Sequence, residues 1–110
     1  MGRYVMIESR DPYESGDVSY FYDLAADLVA AGDRVTLFLV QNGALAARKD
    51  AKGDPLAGVL KGGAEVLVDS FALRERGIQD SERHPSVKPA EIGSLVDCML
   101  AEDGTKVLWH

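Results

Sequence analysis

Apolar residues in this chain occur in short runs separated by polar turns. Three runs, residues 4–7, 34–40 and 65–68, contain β-branched side chains and end at polar or turn-forming residues. Runs of this length and composition are typical of buried β-strands. The run at 34–40 is nearly continuous, which predicts a central strand covered on both faces. Residues 106–109 predict a final strand.

Between the first two runs, the apolar spacing changes to three and four residues, which is the period of a helix. The apolar positions of this segment are Val18, Phe21, Tyr22, Ala25, Leu28 and Val29. Asp17 precedes them and is a favourable N-cap residue, and Gly32 follows them and is a favourable C-terminal residue. The pattern therefore predicts a long amphipathic helix after the first strand.

The remaining elements are shorter. Helical turns or helices are predicted at residues 44–48, 55–61 and 71–76, a loop at 78–87, and a last helix that Pro89 opens. Strands that alternate with helices indicate a parallel sheet. A chain of 110 residues accommodates one core. We therefore expect one α/β domain with a mainly parallel sheet of about five strands, helices on both faces and a flavodoxin-like arrangement.

Charge and composition narrow the range of partners. The chain has 18 acidic and 12 basic residues, a net charge of −6, and no run of lysine or arginine that could follow a phosphate backbone. No segment approaches the roughly 18 apolar residues of a membrane span. The single cysteine, Cys98, cannot form an internal disulfide, and the two histidines are far apart in sequence. We expect a cytoplasmic protein without nucleic-acid, membrane or metal binding.

Familiar cofactor motifs are missing from the loop after the first strand. Neither Gly-x-Gly-x-x-Gly nor the phosphate-binding Gly-x-x-x-x-Gly-Lys-Ser/Thr pattern occurs there. The loop carries Asp11 and Glu14, whose charges would repel a flavin phosphate. The sequence therefore predicts no cofactor.

Polar residues follow the first three predicted strands. In open parallel sheets ligands bind beyond the carboxyl ends of the strands, where the connecting loops meet. The same residue types also form ordinary turns and caps, so the two interpretations stay open. The candidate ligand-binding residues are Ser9, Asp11, Asn42, Gly43, Asp69 and Ser70.

Catalytic candidates are fewer. Cys98 lies in the predicted last helix beside Asp97, and a cysteine in such a place is typically a small, partly buried hydrophobe rather than a thiolate. His84 could serve as a general base, although a solvated loop histidine is the simpler interpretation. Asp69 and Ser70 place a carboxylate beside a hydroxyl, but no histidine nearby in sequence completes a triad.

The order and spacing of several segments resemble the DsrE/DsrF-like family, which includes the subunits of the TusBCD sulfur-relay complex. The resemblance covers nearly the whole chain. It involves the Asp11-Pro12 loop, the helix end and strand at residues 30–39, Asn42-Gly43-Ala44, residues 73–78 and residues 106–109. The fold that this resemblance implies agrees with the α/β pattern above.

The resemblance implies a carrier cysteine at the end of the third strand, in members that transfer sulfur. Asp69 occupies that position here, and a carboxylate cannot hold a sulfane sulfur. The resemblance then implies a non-catalytic accessory subunit or small-ligand-binding protein, with Asp11, Asn42, Asp69 and Ser70 around the pocket. It also implies a homo-oligomer, a trimer or hexamer, or a sulfur-relay partner protein.

Two other hypotheses remain open at this point. The chain could be an enzyme, either a sulfurtransferase that uses Cys98 or a small hydrolase or lyase that uses Asp69 and Ser70. Alternatively, the polar strand ends could be caps in a protein that fills an interface. In that case Tyr13, Phe71 and Trp109 would form an aromatic docking surface.

Overall fold

The computed structural model describes residues 2–110, which form five strands and four α-helices. None of the helices in this part of the chain is long and apolar enough to cross a membrane. The strands are β1 (Arg3–Glu8), β2 (Arg34–Leu39), β3 (Glu65–Asp69), β4 (Lys88–Ala90) and β5 (Lys106–Trp109). The α-helices are α1 (Val18–Ala30), α2 (Ala57–Gly62), α3 (Ser70–Glu75) and α4 (Ile92–Leu100), with 3₁₀ helices at Gln41–Ala47 and Asp80–Glu82.

The five strands form one parallel sheet in the order β4-β3-β2-β1-β5. The chain moves outward from β1 to β4 and then returns through α4 to place β5 on the other side of β1. This topology brings all five carboxyl ends to one edge. The expected single α/β domain, with a parallel sheet of flavodoxin-like type, is confirmed.

Alternation along the strands builds two cores on opposite faces of the sheet. Met6, Leu37 and Val66 face one core, which α1, α2 and the first 3₁₀ helix cover. Ile7 and Phe38 face the other core, which α4 covers through Leu95 and the half-buried Cys98 and Met99. The second face is thus covered by a single nine-residue helix.

The prediction that Pro89 opens the last helix is wrong. Pro89 lies in the short strand β4, at the edge of the sheet, and α4 begins three residues later at Ile92. Proline lacks an N–H, so it is tolerated in an edge strand, where one side of the backbone needs no partner. The predicted loop at 78–87 also contains one short helical turn, Asp80–Glu82.

Candidate functional site

A pocket of about 330 Å³ opens at the carboxyl edge of the sheet, on the face that α4 covers. Residues from the ends of β1, β2, β3 and β5, from α3 and from the start of α4 line it. We call it the α4-side pocket. Its lining residues are Ile7, Val40, Gln41, Asp69, Phe71, Ala72, Glu75, Arg76, Ile92, Leu95 and Trp109.

Asp69 is the only one of the six candidate ligand-binding residues that lines the α4-side pocket. It ends β3 and is the N-cap of α3, with Oδ1 accepting a hydrogen bond from the Phe71 backbone N–H at 3.3 Å. Only 9% of the residue is exposed. A buried carboxylate therefore sits where the strand-end rule places ligand chemistry.

Asn42 lies next to the pocket and orients one of its lining residues. Its Oδ1 accepts hydrogen bonds from Nε and Nη2 of Arg76, at 3.2 and 2.9 Å. Nη1 of Arg76 donates to the Ala72 carbonyl at 3.2 Å. Gln41, which also lines the pocket, has a φ of 50°, a conformation that residues other than glycine rarely adopt. The turn after β2 is thus tightly constrained.

Gly43 has a packing role that its position in a turn did not reveal. A Cβ at this residue would lie 2.3 Å from the carbonyl oxygen of Glu8, so only glycine allows the turn after β2 to pass so close to β1. The Glu8 carbonyl also accepts a hydrogen bond from the Val40 N–H at 3.0 Å. Gly43 is buried and does not line the α4-side pocket.

The other candidates from the sequence lie outside the α4-side pocket. Ser9 donates its backbone N–H and its hydroxyl to the His110 carbonyl, both at 3.0 Å, and so extends the pairing of β1 with β5. Asp11 accepts from the Tyr13 N–H at 2.8 Å and forms a local turn. Ser70, the first residue of α3, is half-buried beside Asp69 but is not part of the lining.

The two nucleophile or base candidates elsewhere in the chain are also separate from the pocket. Cys98 is a half-buried residue of α4 and packs on the core that contains Leu95. It lies one helical turn beyond Leu95, away from the carboxyl edge. Nδ1 of His84 accepts from the Ser86 N–H at 3.1 Å, within its own loop.

A hydrogen-bonded network lies at the same edge of the sheet but on the opposite face. Nδ1 of His110 is 2.8 and 2.9 Å from the two carboxylate oxygens of Glu8, and Nε2 is 3.0 Å from Oδ2 of Asp17. The ring stacks on Phe21 of α1, with centroids 5.4 Å apart. Both ring nitrogens therefore face carboxylates, an arrangement that favours the doubly protonated, positively charged ring.

The contacts within this Glu8–His110–Asp17 network explain the direction in which the pKa of each residue is shifted. The hydrogen bond to Asp17 raises the pKa of His110, with Glu8 adding to the effect, and the pKa of Asp17 is correspondingly lowered. Burial raises the pKa of the wholly buried Glu8, against the hydrogen bonds that it accepts from the Arg10 N–H and His110. Nearby in α1, burial also raises the pKa of Tyr22.

Asp17 occupies the N-cap position that the sequence predicted, but its side chain makes no capping bond there. Its carboxylate bonds His110 instead. This network could not be predicted from local patterns, because His110 and Glu8 are 102 positions apart and meet only when β5 pairs with β1. The one available hint was a glutamate directly after the apolar run at 4–7.

The side chains at the carboxyl edge of the sheet point alternately to its two faces. Ile7 and Trp109 point to the α4-side pocket, while their neighbours Glu8 and His110 point to the α1 side. Within residues 2–110, no three histidine, cysteine, aspartate or glutamate side chains are grouped so that they could hold a metal ion. The α4-side pocket therefore offers an apolar cavity with one buried carboxylate.

Solved structures similar to this one cover nearly the whole chain. The ychN protein from E. coli superposes with a TM-score of 0.87 at 21% identity, over all of both chains. MTH1491 from Methanobacterium thermoautotrophicum, a protein of unknown function, gives 0.82 at 17% identity, again over all of both chains. BT1422 from Bacteroides thetaiotaomicron, a conserved protein of unknown function, gives 0.76 at 13% identity, over 97% of this chain and 94% of the other.

These likenesses show a shared fold, since all three identities lie below 25%. No protein-family model matches the sequence, and no curated protein matches it.

Proposed function

We propose that this chain is a DsrE-like protein of the cytoplasm that binds a small molecule in the α4-side pocket and does not carry sulfur. The observation that carries the proposal is the buried Asp69 carboxylate, at the strand end where the family resemblance implies a carrier cysteine. The fold shared with ychN and the strand-end position of the pocket support it. Sulfur metabolism is the setting that the resemblance implies.

The chemistry of Asp69 and Cys98 supports the binding of a ligand rather than the transfer of sulfur. A persulfide forms on a thiolate, and Asp69 has no sulfur to offer. The one thiol, that of Cys98, is half-buried on the inner side of α4 and lies outside the α4-side pocket. A sulfurtransferase that used Cys98 would have to expose this side chain by moving α4.

Intact-mass spectrometry of the native protein after incubation with a polysulfide donor tests this proposal. We expect no added mass, and a Cys98→Ala variant gives the matched blank. A gain of one sulfur atom, about 32 Da, that disappears in Cys98→Ala would overturn the proposal and favour the sulfurtransferase.

The proposal includes a homo-oligomer that forms through the half of the α4 face farther from the pocket. Val96, Leu100 and Val107 are exposed there, Leu100 by 77%. Leu100 ends α4 near the amino edge of the sheet, whereas Ile92 and Trp109 lie at the carboxyl edge, around the pocket. A second copy of the chain would bury this apolar area and leave the pocket open.

Light scattering after size exclusion tests the oligomer. The wild-type protein should elute with a mass several times that of the 11.9 kDa chain. Leu100→Glu should reduce this mass. Tyr20→Glu is the matched control, because Tyr20 is equally exposed, at 75%, but lies on α1. A monomeric wild-type protein would contradict the oligomer without affecting the proposal for the pocket.

A further inference from the structure

The side chain of Asp69 is buried at the pocket and has no ion-pair partner in residues 2–110. Its one hydrogen bond comes from the neutral Phe71 N–H, although a carboxylate has about four lone-pair sites. The remaining sites are open to a cationic donor that enters the α4-side pocket, and a charge-assisted hydrogen bond is stronger there than in water.

Arg76, the one basic residue in the lining, does not supply that cation. Asp69, Ala72 and Arg76 have the i, i+3, i+7 spacing of one helix face, so they follow each other along the pocket wall. The two charged residues flank the six-residue helix α3, and seven helical steps place their Cα atoms about 10 Å apart. The Arg76 guanidinium bonds the neutral oxygens of Asn42 and Ala72 instead. Small Ala72 leaves the space between them open.

The rest of the lining favours a cation that carries an apolar body. Ile7, Val40 and Leu95 form an apolar floor. Phe71 and Trp109 stand at the rim, 56% and 69% exposed. Aromatic faces attract organic cations, and this attraction adds to the pairing with a carboxylate. A hydrated metal ion would gain nothing from these walls, whereas an alkyl group would be buried by them.

We propose that the ligand of the α4-side pocket is an organic ammonium ion, with its charged nitrogen on Asp69 and its apolar body against Ile7, Leu95 and Trp109. This assignment rests on the proposed function, namely that the pocket binds a small molecule. It adds the charge and the chemical class of the ligand, which the resemblance to sulfur-relay proteins does not imply.

Three probes of equal length and different charge test the assignment. Hexylammonium, hexanol and hexanoate are titrated into the full chain at constant ionic strength, and the fluorescence of Trp109, the single tryptophan, reports binding. We expect hexylammonium to bind most tightly. In Asp69→Asn its affinity should fall by about tenfold or more, while that of hexanol stays unchanged. Asparagine keeps the N-cap, so α3 should remain intact.

The matched control is Asp80→Asn, which removes an acidic charge outside the pocket and should leave all three affinities unchanged. Equal or tighter binding of hexanol or hexanoate in the wild type would overturn the ammonium assignment but keep a ligand pocket. Unchanged hexylammonium affinity in Asp69→Asn would overturn the role of Asp69. If none of the probes binds, both the assignment and the proposed pocket function fail.

Discussion

Replacement of Gly43 by alanine tests whether this residue serves packing rather than ligand binding. The new Cβ would lie 2.3 Å from the Glu8 carbonyl oxygen, about 1 Å short of ordinary carbon–oxygen contact. The added Cβ is fixed to the backbone of residue 43 and meets a backbone oxygen of Glu8, so no flexible side chain can move aside. Either the turn after β2 or the end of β1 has to shift.

The expected cost has two parts. Overpacking in a dense interior costs about 1–3 kcal/mol. A shift of this size also weakens the 3.0 Å hydrogen bond from the Val40 N–H to the Glu8 carbonyl, for about 1 kcal/mol more. We therefore expect Gly43→Ala to lose about 2–4 kcal/mol of unfolding free energy. That loss is a large part of the roughly 5–15 kcal/mol typical of a domain.

Urea denaturation followed by circular dichroism measures this loss as a decrease of about 1–2 M in the midpoint. Gly58→Ala is the matched control. Gly58 lies within α2, and a Cβ there would meet nothing within 4 Å. Alanine should stabilise that helix by about 0.5–1 kcal/mol. Both variants replace glycine by alanine, but we expect their unfolding free energies to change in opposite directions.

Gly43→Ala within about 0.5 kcal/mol of the wild type would refute the packing argument, since that is the range of ordinary surface substitutions. If Gly43→Ala is as stable as the wild type but binds ligand more weakly, then Gly43 serves ligand binding rather than packing.

Two further predictions concern the α1 side of the sheet. Because the pKa of His110 is raised in the folded state, protonation of this ring stabilises the fold. The stabilisation is fully present below the ordinary pKa of 6.5 and is lost as pH rises through the folded pKa, by at most about 1.4 kcal/mol per pH unit. NMR titration should place the pKa of His110 above that ordinary value and lower it in Asp17→Asn; no change in this variant would contradict the network. Tyr22→Phe should be neutral or stabilising by up to about 1 kcal/mol in urea denaturation, because the buried Tyr22 hydroxyl has no hydrogen-bond partner in the described structure, and a clear loss would disprove this.

The sheet could be predicted from sequence because its determinants are local. The nearly continuous run at 34–40 predicted the central strand, and β2 covers Arg34–Leu39. The helical spacing after Asp17 predicted α1, which begins at Val18. Pro89 misled the prediction because proline is compatible both with a helix start and with an edge strand. Only the pairing of β4 with β3 decides between them.

The candidate site was predictable only in part. The strand-end rule selected Asp69, which does line the α4-side pocket. It also selected Ser9 and Asp11, whose hydrogen bonds are used within β1–β5 pairing and a local turn. The apolar walls come from distant elements, so Ile92 and Trp109 give no sign of a pocket in the sequence itself. Long-range pairing likewise creates the contact of His110 with Glu8.

The proposed function requires that a small molecule binds at the carboxyl edge of the sheet, on the α4 side. The most direct test is a two-dimensional ¹H–¹⁵N NMR titration of the wild-type protein with hexylammonium, read residue by residue. We expect shifts confined to the lining, including the Trp109 indole and the amides of Gln41 and Ala72. Shifts centred on Phe21 and His110, on the other face of the sheet, would contradict binding in the α4-side pocket, and so would an unchanged spectrum.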